Sequence, residues 1–271
     1  MTTKPLRAGD HGADVTVLQQ RLNRAGQSIA IDGWYGPATE TAVRAFQRSR
    51  HLVEDGIAGP RMQDALLGTV DPRALRQADI EHAAAELGCE SAAINAVVEV
   101  ESPRTGYLPD GRVVILFERH VFWRQLQAYG IDPVSVNAPA SILSQVRGGY
   151  VGGAAEYARL AQAMAIASEP AMEACSWGRF QVMGYHAKVL GYTNATQMAA
   201  AFAKGEAEQL QAFMQFVQSD AELLKALRGR KWTAFARSYN GPAYADNLYD
   251  VKLAKAYARH AAARPPVSEV A

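Results

Sequence analysis

Apolar residues recur at helical spacing along most of this chain, and polar turns interrupt them at short intervals. Val15, Leu18, Gln19 and Leu22 mark a first helix, Ala42, Val43, Ala45 and Phe46 a second, and residues 61–67 a third. Ile80, Ala83, Ala84 and Leu87 form a fourth stripe, stopped by Gly88, a residue suited to the left-handed position that closes a helix. Ile94, Val97, Val98 and Glu101 follow at i, i+3, i+4 and i+7, which puts a carboxyl group on an apolar face. A helix and a looser stretch with Pro133 and Pro139 fill 121–146, and further helices are expected over 154–167, 206–218 and 220–228. Leu210, Phe213, Met214 and Val217 read as core, Trp232, Phe235 and Ala236 continue the series, and a last helix runs from 243 to about 263. One stretch departs from this pattern. Pro109-Asp110-Gly111 has turn chemistry and Arg112 to Phe117 is β-branched and aromatic, so residues 107–117 predict a short β-hairpin in a mainly α chain.

Ser102-Pro103 ends the helix that carries Glu101, because proline disfavours helical geometry in the residue before it. Glu101 then stands where a buried face meets solvent, and a carboxyl half in an apolar wall has its charged form disfavoured, as a general acid requires. Glu99 lies about 200° away by the 3.6-residue repeat and is expected to face water. Glu118 falls at the end of the expected hairpin. Two carboxylates on separate elements can flank a cleft as glycoside cleavage requires, although Glu118 can equally pair with Arg119 or His120.

The first 70 residues hold a near repeat, Asp32-Gly33-Trp34-Tyr35-Gly36-Pro37 and Asp55-Gly56-Ile57-Ala58-Gly59-Pro60, each a glycine-rich turn with proline placed to open a helix. Trp34 and Tyr35 can stack on a ligand or cap a small core, and Asp32 can bind or merely shape its turn. Gly68 and Pro72 punctuate a linker, giving an expected division into 1–68, a linker 69–78, and a second domain 79–271.

The composition narrows the class. The chain has 271 residues, 49% hydrophobic and 20% charged, and a net charge of +1. Residues 1–70 hold eight Lys or Arg against seven Asp or Glu, leaving twenty of each for the rest, so no basic domain points to nucleic acid. The start, MTTKPLRAGDHGADV, has no apolar segment of the kind a signal peptide carries, and no run of about 18 apolar residues follows, so synthesis in the cytoplasm is expected. Cys89 and Cys175 read as buried thiols, and no ligand spacing calls for a metal. Gly148-Gly149-Tyr150-Val151-Gly152-Gly153 reads as a flexible loop, since no strand leads into a phosphate-binding helix. Gln181 in SWGRFQVM offers a donor and an acceptor to a sugar, or an internal hydrogen bond in a core helix. Ser238-Tyr239-Asn240-Gly241-Pro242 is equally a cleft wall or a plain turn. Lys252, Lys255, Arg259 and Arg264 make the last helix cationic, suited to weak contact with an anionic membrane, while Leu248, Val251 and Tyr257 read as its core contacts.

LRAGDHGADVTVLQQRLNRAG, DGWYGPATETAVRAFQRSRHL and DGIAGPRMQDAL resemble the three-helix peptidoglycan-binding domain attached to many wall hydrolases. EVES, SWGRFQVMGY and ARSYNGPAY look like the Glu-Ser, Gly-x-x-Gln and Tyr-Asn-x-Gly signatures of the lysozyme-like superfamily, in the order seen in goose-type lysozymes and lytic transglycosylases. The fuller pattern, with GYLPDGR, ILFERH and GGY, is similar to the N-acetylmuramidase domain of phage endolysins that attack Gram-negative walls. The resemblance implies a lysozyme-like helical domain and cleavage of the β-1,4 bond between N-acetylmuramic acid and N-acetylglucosamine without a cofactor. It also implies Glu101 as acid, Glu118 as an assisting carboxylate, and Gln181, Tyr239 and Asn240 as cleft residues. Asp32, Trp34 and Tyr35 are the candidate wall contacts. A monomer is expected that leaves the cytoplasm with the help of a holin or another route and acts in the periplasm. A lytic transglycosylase, which forms a 1,6-anhydro product, and a noncatalytic wall anchor are the rivals.

Overall fold

The computed structural model describes residues 4–101, 105–241, 245 and 247–263, with only the backbone of Glu101 and Asn240. The chain forms two compact units, one of residues up to 96 together with those from 256 on, the other of residues 97–255. No helix among the described residues is long and apolar enough to cross a membrane.

In the first unit α1 (Ala13–Arg24), α2 (Pro37–Ser49) and α3 (Pro60–Leu66) surround a core of Val15, Leu18, Leu22, Val43, Phe46 and Met62. Pro37 and Pro60 each stand at the first turn of their helix, where a missing N–H costs nothing. Gln19 sits on the apolar stripe of α1 and is 1% exposed. Its Nε2 donates to Asp32 Oδ1 (2.7 Å) and to the Trp34 carbonyl (3.0 Å), while its Oε1 accepts from the Gly33 N–H (2.9 Å). Gln47 of α2 repeats the arrangement on the second turn, with Asp55 Oδ1 (2.6 Å), the Ile57 carbonyl (3.1 Å) and the Gly56 N–H (3.0 Å). Gly33 and Gly56 have φ of 70° and 69°, the left-handed region that glycine enters freely. The internal repeat therefore includes a glutamine in each preceding helix, a member that the turn motif alone does not reveal.

Next come α4 (Gln77–Leu87), closed by Gly88 in left-handed geometry, and α5 (Ser91–Glu101), in which Ile94, Val97 and Val98 are buried. Glu99 is half-buried and Cys89 partly so, whereas Cys175 is fully enclosed. The second unit continues with α6 (Arg119–Ala128), α7 (Glu156–Ile166), α8 (Ser168–Glu173), α9 (Ala195–Phe202), α10 (Glu206–Ser219), α11 (Ala221–Arg228) and α12 (Trp232–Asn240). Leu210, Phe213, Met214 and Val217 are buried on α10.

A small antiparallel sheet runs in the order β1 (Ile115–Phe117), β2 (Cys175–Trp177), β3 (Val182–Met183). The expected hairpin over 107–117 is reduced to a turn with one bridge, Tyr107 to Val113. β1 pairs instead with a distant strand, Ile115 opposite Trp177 and Phe117 opposite Cys175. Period-two patterning identifies a strand but not its partner. SWGRFQVM is itself a hairpin, not a helix.

In α13 (Tyr249–Ala262) the buried stripe is Leu253, Ala256 and His260, while Val251, expected in the core, is 41% exposed and Leu248, also expected there, precedes the helix with φ of 52° and is 57% exposed. Helical spacing alone fits either face, and packing selects that of Leu253, Ala256 and His260. Arg264 lies outside the described residues.

Each buried glutamine leaves an N–H and a carbonyl of its turn without a partner when truncated. Gln19→Ala and Gln47→Ala are therefore expected to lower stability by roughly 1–3 kcal/mol each, read as a shift of the urea midpoint, with Gln20→Ala on the exposed side of α1 as a near-neutral control.

Candidate active site

Glu118 occupies the junction between β1 and α6. Its backbone N–H donates to the Ala174 carbonyl beside the sheet (3.0 Å), and its own carbonyl accepts from the N–H groups of Val121 and Phe122 at the start of the helix (2.9 Å each). The side chain is thereby fixed from two directions and is 6% exposed. Tyr150 donates its hydroxyl to Glu118 Oε2 (2.7 Å), and Arg147 Nε donates to the same Tyr150 oxygen (3.2 Å). Burial and the Glu118 carboxylate both raise the phenol pKa, so the tyrosine keeps its proton. His120 Nδ1 lies 3.2 Å from Oε2 without the geometry of a hydrogen bond. Burial pushes this imidazole below its ordinary value, against the opposing pull of Glu118, so it is neutral at neutral pH. Arg119 turns away and caps the carbonyls of Ala140 (2.8 Å) and Val146 (2.9 Å). Of the two ordinary pairings open to Glu118, neither forms as an ion pair at neutral pH.

The loop that delivers Tyr150 is pinned, contrary to the flexibility its glycines suggest. Glu156, fully buried at the start of α7, accepts from the N–H groups of Val151 (2.8 Å) and Gly152 (2.9 Å) on one oxygen. Its other oxygen accepts from the Phe117 N–H (3.2 Å) and Arg159 (2.7 Å). Arg159 in turn donates to the Phe117 carbonyl (2.9 Å) and the Ser141 carbonyl (2.6 Å). One carboxylate thus ties the tyrosine loop to the strand residue immediately before Glu118. Burial alone raises the Glu156 pKa, but the Gly152 and Val151 amides and Arg159 outweigh it and hold the carboxyl below its ordinary value.

Gln181 stands at the corner of the β2–β3 hairpin with φ of 50°. Its Oε1 accepts from Ser176 Oγ (2.8 Å) and its Nε2 donates to the Gly178 carbonyl (2.8 Å), so both ends brace the turn. Tyr239 donates to the Phe180 carbonyl in that turn (3.1 Å) and stacks on Phe235 at 5.6 Å. Hairpin and α12 are joined there. Glu101 and Asn240 end α5 and α12, and their side chains lie outside the described residues. Beyond α5, the Gly106 N–H donates to the buried carboxylate of Glu206 (2.6 Å), which also meets Arg179 (2.9 Å), tying this segment to the same hairpin.

In the first unit Asp32 is exposed, but Gln19 and the Trp34 N–H use its carboxylate and hold it below its ordinary range. Trp34 is 47% exposed and lies parallel to His11, with ring centres 6.4 Å apart. Tyr35 is fully buried, and its hydroxyl donates to the Gly56 carbonyl (2.8 Å), so the core claims it and no ligand can stack on its ring. Tyr150, Glu156 and Arg159 were not anticipated. Their signals are the tyrosine of the GGY motif, set between two glycine pairs, and an acid and a base three apart on a helix.

A family model described as N-acetylmuramidase matches residues 90–261, and one described as a peptidoglycan binding domain matches residues 11–66. The crystal structure of the Burkholderia AP3 phage endolysin is 51% identical, with 96% of this chain and 99% of that one covered and a TM-score of 0.92. The zinc D-Ala-D-Ala carboxypeptidase of Streptomyces albus G is 47% identical over 58 residues, 20% of this chain and 23% of that protein. The N-acetylmuramoyl-L-alanine amidase CwlL of Bacillus licheniformis is 41% identical over 64 residues, 22% and 18% respectively. The chain therefore spans less than a quarter of the length of these two curated relatives.

Removing one member of a buried ion pair leaves the other charge uncompensated. Glu156→Ala is expected to cost roughly 3–5 kcal/mol in chemical denaturation. Because the folded pKa of Glu156 is depressed, its stabilisation is complete above the ordinary value of 4.5 and is lost as pH falls through the lower folded value. Stability measured from pH 6 downward should fall less steeply for Glu156→Gln than for the parent.

Proposed function

The chain belongs to the N-acetylmuramidase family, and from that membership we propose that Glu101 and Glu118 together cleave the β-1,4 bond between N-acetylmuramic acid and N-acetylglucosamine in bacterial peptidoglycan. Glu101 is the general acid, giving its proton to the leaving glycosidic oxygen at the end of a helix whose preceding apolar residues, Ile94, Val97 and Val98, are buried. Glu118 is the second carboxylate. The observation that carries this role is its anchoring by one oxygen, Oε2, while Oε1 has no hydrogen-bond partner among the described residues. A carboxylate about 6.5–9.5 Å from the acid activates a water and inverts the anomeric centre, whereas about 5–5.5 Å suits a nucleophile and retention. Gln181, Tyr239 and Asn240 line the sugar cleft, the first two from the hairpin and helix joined at Phe180.

The peptidoglycan-binding part, 1–68, holds the enzyme on its polymer with Trp34 as the contact and Asp32 as the shaper of its loop. A linker, 69–78, leads to the catalytic domain, 79–271. In this reading the protein is a monomeric endolysin made in the cytoplasm, released to the periplasm through a holin pore or another export route. Weak membrane contact falls to α13, where Lys252, Lys255 and Val251 are exposed, and to Leu248 just before it.

Mass spectrometry of borohydride-reduced fragments from purified Gram-negative peptidoglycan tests the chemistry. Reduced muramic acid ends are expected from the parent. Anhydro ends would make it a transglycosylase, and no fragments would leave a binding protein. Loss of general acid catalysis predicts a rate at least about a hundredfold lower for Glu101→Gln, with sedimentation onto peptidoglycan unchanged.

A further inference from the structure

The contacts around Glu118 assign a task to Tyr150, the tyrosine of the GGY motif, to which the sequence pattern gives no role. A tyrosine hydroxyl has one proton to donate and lone pairs to accept with, while an arginine N–H only donates. Arg147 Nε points at the Tyr150 oxygen, so the hydroxyl accepts from Arg147, and its single proton is directed to Glu118 Oε2. The chain from Arg147 through Tyr150 to Glu118 therefore has one polarity. The neutral His120 beside the same oxygen makes no hydrogen bond to it.

The loop bearing this chain is held at both sides. Arg119 caps the carbonyls of Ala140 and Val146 before Arg147, and Glu156 takes the N–H groups of Val151 and Gly152 after Tyr150. Glu156 also holds Phe117, the neighbour of Glu118, so tyrosine and glutamate are referenced to one buried carboxylate. Tyr150 is 40% exposed, so its ring reaches the surface beside the glutamate.

We propose that Tyr150 is a positioning residue for the glycosidase reaction: it pins Glu118 by Oε2, with Arg147 fixing the direction of its proton, and so leaves Oε1 aimed at the reacting water or sugar carbon. The proposal rests on the reading of Glu118 as the second carboxylate. It needs no redox or covalent step on the tyrosine. A carboxylate with one oxygen fixed has fewer orientations to lose on reaching the transition state, which is a gain in kcat and not in substrate binding.

The test is a double-mutant cycle on the full-length protein, with kcat and KM measured on soluble uncross-linked glycan chains and thermal midpoints recorded for each variant. Tyr150→Phe keeps the ring and removes the hydroxyl. It is expected to lower kcat about tenfold with KM little changed, and to change the rate less than twofold when added to Glu118→Gln. Arg147→Met leaves the tyrosine in place and should show a smaller loss with the same dependence on Glu118. Equal losses from Tyr150→Phe in both backgrounds would mean that the tyrosine only shapes the loop and would overturn the proposal, as would unchanged kcat in Tyr150→Phe. Full activity in Glu118→Gln would instead remove the reading of Glu118 itself, and the proposal with it. A loss in Glu118→Gln accompanied by additive Tyr150→Phe would sink the proposal alone.

Discussion

The buried carboxylate of Glu156 is the contact on which the catalytic unit's geometry turns. A charge with no exposure is tolerable only when its lone pairs are filled, and here three backbone N–H groups and Arg159 fill them. Those N–H groups come from a glycine-rich loop and from the last residue of β1, elements 34 residues or more apart in sequence. Neither has a regular ladder partner for those donors, so the carboxylate supplies what secondary structure does not. Loop and strand share one anchor, and the tyrosine of the one meets the glutamate of the other.

The same solution recurs at the opposite end of the chain. Gln19 and Gln47 are buried amides that fold an Asp-Gly turn around themselves, satisfying an N–H and a carbonyl of each turn. Glu206 and Gln209 do it once more, holding Gly106 and the Arg179 N–H beside the β2–β3 hairpin. A cβ at Gly106 or Gly178 would fall within 3 Å of Gln209, which explains why these turns carry glycine where the polar side chain comes close. Irregular segments are thus given fixed shapes by single enclosed polar groups, each worth more than its surface counterpart because an orphaned partner is costly.

The helices were legible because amphipathic spacing records burial directly. Val15, Leu18 and Leu22, or Leu210, Phe213 and Val217, announce their face by position alone. The turns were legible from proline and glycine. Pairing was not: nothing in Ile115-Leu116-Phe117 says that Cys175-Ser176-Trp177, far along the chain, will lie beside it. The last helix shows a second limit, since Leu253, Ala256 and His260 form its buried face while Val251 is exposed and Leu248 falls before the helix begins. At the site, Glu118 was visible as a carboxylate at a strand end. Tyr150 was hidden because its meaning depends on Glu156, whose own role appears only when the loop and the strand are side by side. Tyr35 marks the opposite error, an aromatic in a loop motif that folds inward and gives its hydroxyl to Gly56.

The unequal exposure of the indoles gives the molecule an optical asymmetry. Trp177 and Trp232 are 3% and 9% accessible and Trp123 is half-buried, whereas Trp34 in the wall-binding part is 47% accessible. A water-soluble collisional quencher therefore reaches Trp34 before the others, and its emission, shifted to longer wavelength by contact with water, separates from theirs. The most quenchable tryptophan emission therefore comes from the peptidoglycan-binding part, so occupancy of that part can be followed without a label against the shielded background of Trp177 and Trp232.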